Sequence, residues 1–440
     1  MHATTGQGNI GGRNGQPFFH LLAPFPMLTP VLKTTALALL AGALCFTTAC
    51  QKQEVAVEDM QKGTLPRPLT GAERNTLTSA NDFAFRAFGA LRGNAPATNI
   101  CISPLSISAA LTMVYNGADG TTKADMKQTL GFQPQTDTEI NESFQSLFSL
   151  FQGLDPQVTF TTGNSIWYGQ QFQLQTPFVQ TNQQYFGATV QPVSFGAPAT
   201  TNLINSWVNT QTRGKIPTIL DMTTADDVMY LINALYFKGT WTYRFDPRNT
   251  RPSLFYPETG APVNKDFMSL TTGRYRRYQD AQQQVIDLPY GNQQFSMTFV
   301  VPQGQSTLAS VAARLTRPQL ETWLAAADTT GMELHLPKFR LEYKEELRQS
   351  LTQLGMGSSF INANFSRMLA GGSSGLAISS VKHKTFLEVN EEGTEAAAVT
   401  SVGIVTTSLP PVVQVNRPFL FLIREKSSGA ILFIGQITNP

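Results

Sequence analysis

Residues 391–411 read Glu-Glu-Gly-Thr-Glu-Ala-Ala-Ala-Val-Thr-Ser-Val-Gly-Ile-Val-Thr-Thr-Ser-Leu-Pro-Pro. No charged side chain occurs from Ala396 to Asn416. The first part is almost all small, the middle is β-branched, and Pro410 and Pro411 close it. Such a run is a competent strand with little apolar bulk to anchor it. An ordinary buried strand and a mobile linker share this composition. A transmembrane segment does not, because the run is polar and two prolines interrupt it. A segment able to be a strand without having to be one is expected to act as a switch.

The flanks sharpen this reading. Upstream stands Val381-Lys382-His383-Lys384-Thr385-Phe386-Leu387-Glu388-Val389-Asn390. Downstream come Asn416-Arg417-Pro418-Phe419-Leu420-Phe421 and Ala430-Ile431-Leu432-Phe433-Ile434-Gly435. Further motifs follow one order along the chain: Asn99-Ile100-Cys101-Ile102-Ser103-Pro104-Leu105-Ser106, Ile204-Asn205-Ser206-Trp207-Val208, Asn233-Ala234-Leu235-Tyr236-Phe237-Lys238-Gly239-Thr240-Trp241, Leu288-Pro289-Tyr290 and Leu336-Pro337-Lys338-Phe339. Together they resemble the serpin family over residues 76–440. The resemblance implies an α+β fold: one large domain with about three β-sheets, eight to nine helices and an exposed reactive-centre loop.

It also implies a mechanism. A protease attacks the loop as bait, and the cut loop enters the main sheet as a new strand. The protease is trapped as its acyl-enzyme. The implied hinge is Glu392, Gly393, Thr394, Glu395, Ala396, Ala397 and Ala398. Strand side chains alternate faces. If Thr394 faces the core, so do Ala396, Ala398, Thr400, Val402 and Ile404. Family spacing places the cut fourteen residues after Gly393 and eleven before Pro418, at Thr407-Ser408. Ile404, Val405, Thr406, Leu409 and Pro410 then contact the protease. These side chains favour an elastase-like or subtilisin-like serine protease, with a cysteine protease as the alternative. The competing reading is a non-inhibitory serpin acting as a binding or structural protein. Ser103, Ser106, Asn205, Trp207 and His383 match the family's shutter and breach, the polar and aromatic groups beneath the opening sheet. Read alone, His383 is also consistent with an ordinary core histidine.

The 440 residues are 41% hydrophobic and 14% charged, enough for one large domain. Removing Arg13 and Lys33, the only charges of the first 50 residues, from the 32 basic residues leaves 30 against 30 acidic ones. A neutral body without basic clusters argues against nucleic-acid partners. Lys123 and Lys127, offset by Asp125, give no reason to expect a polyanion cofactor, and no other cofactor is expected. A monomer is expected.

Residues 1–50 read as an export leader, with Met27 as an alternative start: Lys33 precedes the apolar run Thr34–Phe46. Thr47-Thr48-Ala49-Cys50 resembles the lipobox of bacterial lipoproteins, although Thr47 stands where leucine is usual. The protein is thus expected to be exported, either lipid-anchored to the cell envelope through Cys50 or secreted. Residues 51–75 read as a polar tether. Cys101 alone remains in the body, so no internal disulfide is available.

No enzyme constellation emerges. Gly371-Gly372-Ser373-Ser374-Gly375 fits the Gly-x-Ser-x-Gly pattern, but its surroundings read as a loop rather than a strand-to-helix elbow. No His, Cys or carboxylate cluster has metal-ligand spacing. Ser103-Pro104 reads as a capped helix start. Residues 202–212 read as a helix with Leu203, Ile204, Trp207 and Val208 on one face. Val228–Trp241 reads as an interior strand, and Phe419–Ile437 as two apolar strands joined by a turn.

Overall fold

The computed structural model describes residues 64–371, 374–394 and 412–440. In chain order the helices are α1 (Gly71–Asn94), α2 (Pro104–Tyr115), α3 (Gly120–Leu130), α4 (Asp137–Gln152), α5 (Thr176–Phe186), α6 (Pro198–Gln211), α7 (Leu308–Arg314), α8 (Arg317–Ala325) and the single turn α9 (Arg348–Leu351). The strands are β1 (Ile100–Ile102), β2 (Val158–Gly169), β3 (Thr189–Val193), β4 (Met229–Thr240), β5 (Arg251–Phe255), β6 (Val263–Leu270), β7 (Tyr275–Gln279), β8 (Gln283–Pro289), β9 (Phe295–Pro302), β10 (Asp328–Thr330), β11 (Glu333–Pro337), β12 (Phe339–Glu346), β13 (Ala363–Asn364), β14 (Ser374–Leu376), β15 (Val381–Val389), β16 (Gly393–Thr394), β17 (Val412–Gln414), β18 (Phe419–Glu425) and β19 (Ile431–Ile437).

Three main sheets result, with orders β12-β15-β16-β4-β2-β3, β1-β19-β18-β9-β8-β7-β10 and β17-β11-β6-β5. A two-stranded ladder, β13-β14, is added to them. The expected α+β architecture is therefore present.

Local chemistry sets the helix ends. Thr70 with Glu73, and Thr136 with Glu139, form reciprocal capping boxes that start α1 and α4. Pro104 opens α2, as expected, and Ser103 occupies the cap position. The Ser103 hydroxyl makes no capping bond, however, and is buried without a partner among the described residues. On α6, Ile204 and Val208 are buried but Leu203 is exposed, so the apolar stripe is narrower than the sequence implied. Gly214 (φ +84°) closes that helix, its amide donating to the Asn209 carbonyl at 2.8 Å.

The unbroken apolar run of β4 is explained by cover on both faces. Leu231, Leu235 and Phe237 join the main core with Leu111 of α2 and Phe433 of β19. Tyr230, Ile232 and Ala234 pack with Ile204 and Val208 of α6.

Candidate functional site: a forked sheet with the hinge in its mouth

β4 and β15 run parallel in the six-stranded sheet, and they pair directly only at one end. There Val381 sits opposite Leu231 and Lys382 opposite Ile232. At the other end β16 lies between them: Thr394 is opposite both Gly239 of β4 and Val389 of β15. No ladder pair joins β4 to β15 between these points among the described residues. The sheet is a fork, closed at its base, and Gly393 and Thr394 stand in its mouth.

Gly393 is required there by geometry. An ideal Cβ on it would lie 1.9 Å from the Gly239 carbonyl oxygen, and its φ of +155° disfavours any other residue. Thr394 is 1% exposed, faces the core, and shares a 2.6 Å hydrogen bond with the Tyr290 hydroxyl. Burial raises the Tyr290 pKa, so the ring stays neutral.

Groups that the motifs contained without an assigned role hold the hinge. Trp241 stacks on Tyr290 with ring centroids 4.3 Å apart. Its amide donates to the Glu392 carbonyl at 2.8 Å, and its indole Nε1 donates to the Asn390 carbonyl at 3.0 Å. Glu391 accepts from Thr250 Oγ1 (2.7 Å) and Lys338 Nζ (3.0 Å). Burial would raise the Glu391 pKa; the Thr250 hydroxyl and the Lys338 ammonium outweigh it and hold the carboxyl below the usual range.

Beneath the fork's base, His383 Nε2 accepts from the Ser103 amide at 3.1 Å. Ser103 and His383 are thus brought together, with Ser106 buried on the adjoining turn of α2. Asn233 of β4 and His383 line one small cavity, and Asn233 donates to Asn164 Oδ1 at 2.7 Å. Ser103 Oγ, Ser106 Oγ and Asn233 Oδ1 are buried without a partner among the described residues.

Two expected members lie elsewhere. Asn205 is on α6, on the opposite face of the sheet. Its Oδ1 accepts from the Ile219 and Leu220 amides and its Nδ2 donates to the Leu220 carbonyl. It thereby ties down the segment after α6. That segment spans the fork from outside: the Arg213 guanidinium is 5.1 Å from the Tyr236 ring centroid, Lys215 Nζ is 5.2 Å from that of Phe386, and Lys384 donates to the Thr218 carbonyl. Trp207 also rides on α6, edge-on to Trp167 at 6.2 Å, near the closed end rather than the mouth. The aromatic at the mouth is Trp241.

Glu395, Ala396, Ala397, Ala398, Ile404, Val405, Thr406, Thr407, Ser408, Leu409 and Pro410 lie outside the described residues, as do Cys50 and the leader. So do Gly372 and Ser373; Ser374 belongs to β14. Among the described residues no group of three or more His, Cys, Asp or Glu could hold a metal ion.

His383 carries a pH prediction. Burial lowers its pKa from 6.5 to about 3. The unfolded chain takes up this proton below about pH 6.5, while the folded chain resists it until about 3. Stability is therefore complete above pH 6.5 and falls as pH is lowered through this window, by at most about 1.4 kcal/mol per unit. Denaturant unfolding of the protein and of His383→Gln between pH 4 and 7 checks it: the variant is expected to lose this component of the slope.

Comparison with known proteins matches this geometry. Residues 78–440 fit the sequence model of a family described as serpin (serine protease inhibitor). The chain belongs to the serpin family. Serpin A3-6 of Bos taurus is 32% identical over 411 residues, covering 92% of this chain and 97% of the relative. Corticosteroid-binding globulin of Pongo abelii is 34% identical over 371 residues, 83% and 90% of the two chains. Among solved structures, human thyroxine-binding globulin complexed with its hormone superposes with a TM-score of 0.78 at 29% identity, covering 84% of this serpin and 99% of the globulin. The thermophilic serpin tengpin, in its native state, gives 0.76 at 29% identity, covering 85% and 96%.

Proposed function

We propose that this serpin is a suicide-substrate inhibitor of serine proteases, cut at Thr407-Ser408 and completed by insertion of the cut loop between β15 and β4. The observation that carries the reading is the seat of Gly393 and Thr394. The register is already set there: each two residues onward along the loop move two back along both neighbours. Ala396 would arrive between Phe237 and Leu387, Ala398 between Leu235 and Thr385, and Thr400 between Asn233 and His383. Val402 would arrive between Leu231 and Val381, which requires separating the two ladder pairs at the fork's base. The receiving positions on β4 and β15 are buried, and the arriving residues on that face are small or uncharged. About a dozen new ladder hydrogen bonds at roughly 0.5–1.5 kcal/mol each supply on the order of 10 kcal/mol.

The same proposal favours an elastase-like or subtilisin-like target over a cysteine protease, and action as a monomer after export on residues 1–50, anchored through Cys50 or secreted. The competing function is a non-inhibitory binding protein, as the names of the two globulins say of those relatives. Mixing the protein with elastase-type and subtilisin-type proteases, followed by denaturing gels and mass spectrometry, separates the two. Inhibition gives a protease-sized covalent adduct and a C-terminal peptide beginning at Ser408. Clean cleavage without adduct, for every protease tried, would put the binding-protein reading first.

A further inference from the structure

One end of the six-stranded sheet carries a surface without charge. Between Asp155 and Arg213 the chain runs for 57 residues with no Asp, Glu, Lys, Arg or His. At this chain's own 14% charged content, about eight charges would stand there, and in an ordinary domain about fourteen. The run comprises β2, α5, β3 and α6. β3 is the last strand of its sheet. On one face of that sheet α5 joins the main core through Phe178 and Phe186; on the other, α6 joins the second core through Ile204 and Val208.

Edge strands that face water are commonly guarded by charge. β3 has Pro192 in that role, with Gln191 exposed beside it. What this end of the sheet presents instead is amides, hydroxyls and hydrocarbon. Leu203 of α6 is 42% exposed. Trp207 follows one turn on, so the two side chains are neighbours on the helix surface. Trp207 is only half-buried, yet its ring is held in place. Its Nε1 donates to Thr189 Oγ1 of β3 at 3.3 Å, and the ring stands edge-on to Trp167. Asn202 and Ser206 share the water-facing side of α6 with Leu203, and their side chains can both donate and accept hydrogen bonds.

We propose that α6 and β3 form a binding face for a neutral polysaccharide, a pyranose ring resting on Leu203 and Trp207 with its hydroxyls bonded to Gln191, Asn202 and Ser206. A pyranose ring offers a C–H face to hydrocarbon and aromatic surface, and hydroxyls to uncharged amides. Charge on such a face would be a hindrance. A charged group covered by a neutral ligand loses its hydration and gains no counter-charge. The same neutrality disfavours a polyanion, and the amides and hydroxyls disfavour a purely apolar partner. A ring already fixed by Thr189 and Trp167 has little freedom left to lose on binding. The open helix face fits the side of a sugar chain rather than its end. None of these groups belongs to the loop or the fork, so the test stands whether or not the chain inhibits a protease.

The experiment is calorimetric and tryptophan-fluorescence titration of the full chain with cellohexaose, xylohexaose and mannohexaose, with dextran sulfate as the charged control. Expected are saturable binding of at least one neutral glycan and a loss of about tenfold or more, about 1.4 kcal/mol, in Trp207→Ala and in Leu203→Asp. Leu203 faces water, so Leu203→Asp adds a charge to the face without disturbing the core and decides the matter even if Trp207→Ala fails to fold. No saturable binding of any of the three up to about 10 mM, a free energy weaker than about 3 kcal/mol, would overturn the proposal. So would binding by Leu203→Asp within about twofold of the parent. Tighter binding of dextran sulfate than of every neutral glycan would overturn it by showing an anion site. Reversible dimerisation of the parent that Leu203→Asp abolishes would also overturn it, by giving the face to a second copy of the chain.

Discussion

Thr394→Arg is expected to turn the inhibitor into a substrate. Under the proposed mechanism the loop should still be cut at the proposed bond, Thr407-Ser408, which is untouched, while the covalent adduct falls by at least about tenfold as cleaved product accumulates. The reason lies in the mouth of the fork. Thr394 is buried, opposite Gly239 and Val389, with its hydroxyl on Tyr290. A guanidinium there would enter beneath the sheet beside Phe237, Trp241 and Tyr290, which form one aromatic cluster. A buried charge without a partner costs several kcal/mol, comparable with a large part of what insertion releases. A rate barrier of that size lets water reach the acyl-enzyme first. Ala396→Arg acts in the same direction, since 396 is the next core-facing position, while Thr394→Ser keeps both size and hydroxyl and retains trapping. Stoichiometry of inhibition on denaturing gels checks this. An adduct formed by Thr394→Arg as efficiently as by the parent would remove the insertion reading.

The strand tendency of the stretch that begins at Gly393 was legible because its chemistry is local. Small residues, period-two alternation and an absence of charge are properties of neighbours in sequence. The strand at Val228–Trp241 and the apolar pair at Phe419–Ile437 were legible for the same reason. What closes the fork's mouth was not. Gly393 needs to be glycine because of a carbonyl on Gly239, 154 positions earlier, and no pattern near 393 contains that fact. The Trp241–Tyr290 stack joins the residues just past the ends of β4 and β8, strands of two different sheets, so the two motifs that hold these residues gave no sign that they meet.

Asn205 and Trp207 show the opposite failure. A motif fixes where a residue falls along the chain but not the layer it serves. Side chains on a helix turn by about 100° per residue, so Ile204 can face the sheet while Asn205 points along it to hold the Ile219–Leu220 backbone. The resemblance placed Asn205 beneath the sheet; its hydrogen bonds place it above, on α6, where it holds the segment that follows that helix. Asn233, inside a quoted strand motif, occupies the buried position instead. Its face could have been read from the alternation of β4, since Leu231, Asn233 and Leu235 share one side.

Arg424→Leu is expected to destabilise the protein by about 3–5 kcal/mol, the usual result of leaving one member of a buried ion pair alone. Arg424 and Asp287 are 7% and 3% exposed. The guanidinium also donates to Thr298 Oγ1 at 2.8 Å and Ser296 Oγ at 3.2 Å, while Thr298 donates to the same carboxylate at 2.7 Å. Burial pushes the Asp287 pKa up; Arg424 and the Thr298 hydroxyl outweigh it, so the carboxyl titrates below its usual range. Its folded pKa is thus depressed, and its contribution is present above the unfolded value near 3.9 and lost as pH falls through the folded one. Without Arg424 burial loses its main opponent, the Thr298 hydroxyl and the Lys426 charge counter it only in part, and the Asp287 pKa rises. The variant's loss of stability should then be smaller in acid than at neutral pH, because protonation relieves the orphaned charge. Denaturant unfolding at pH 7 and pH 4 tests both statements, and the double variant Arg424→Leu, Asp287→Leu should recover most of the loss at pH 7. A single variant that loses less than about 1 kcal/mol at neutral pH would mean that water or Lys426 compensates Asp287.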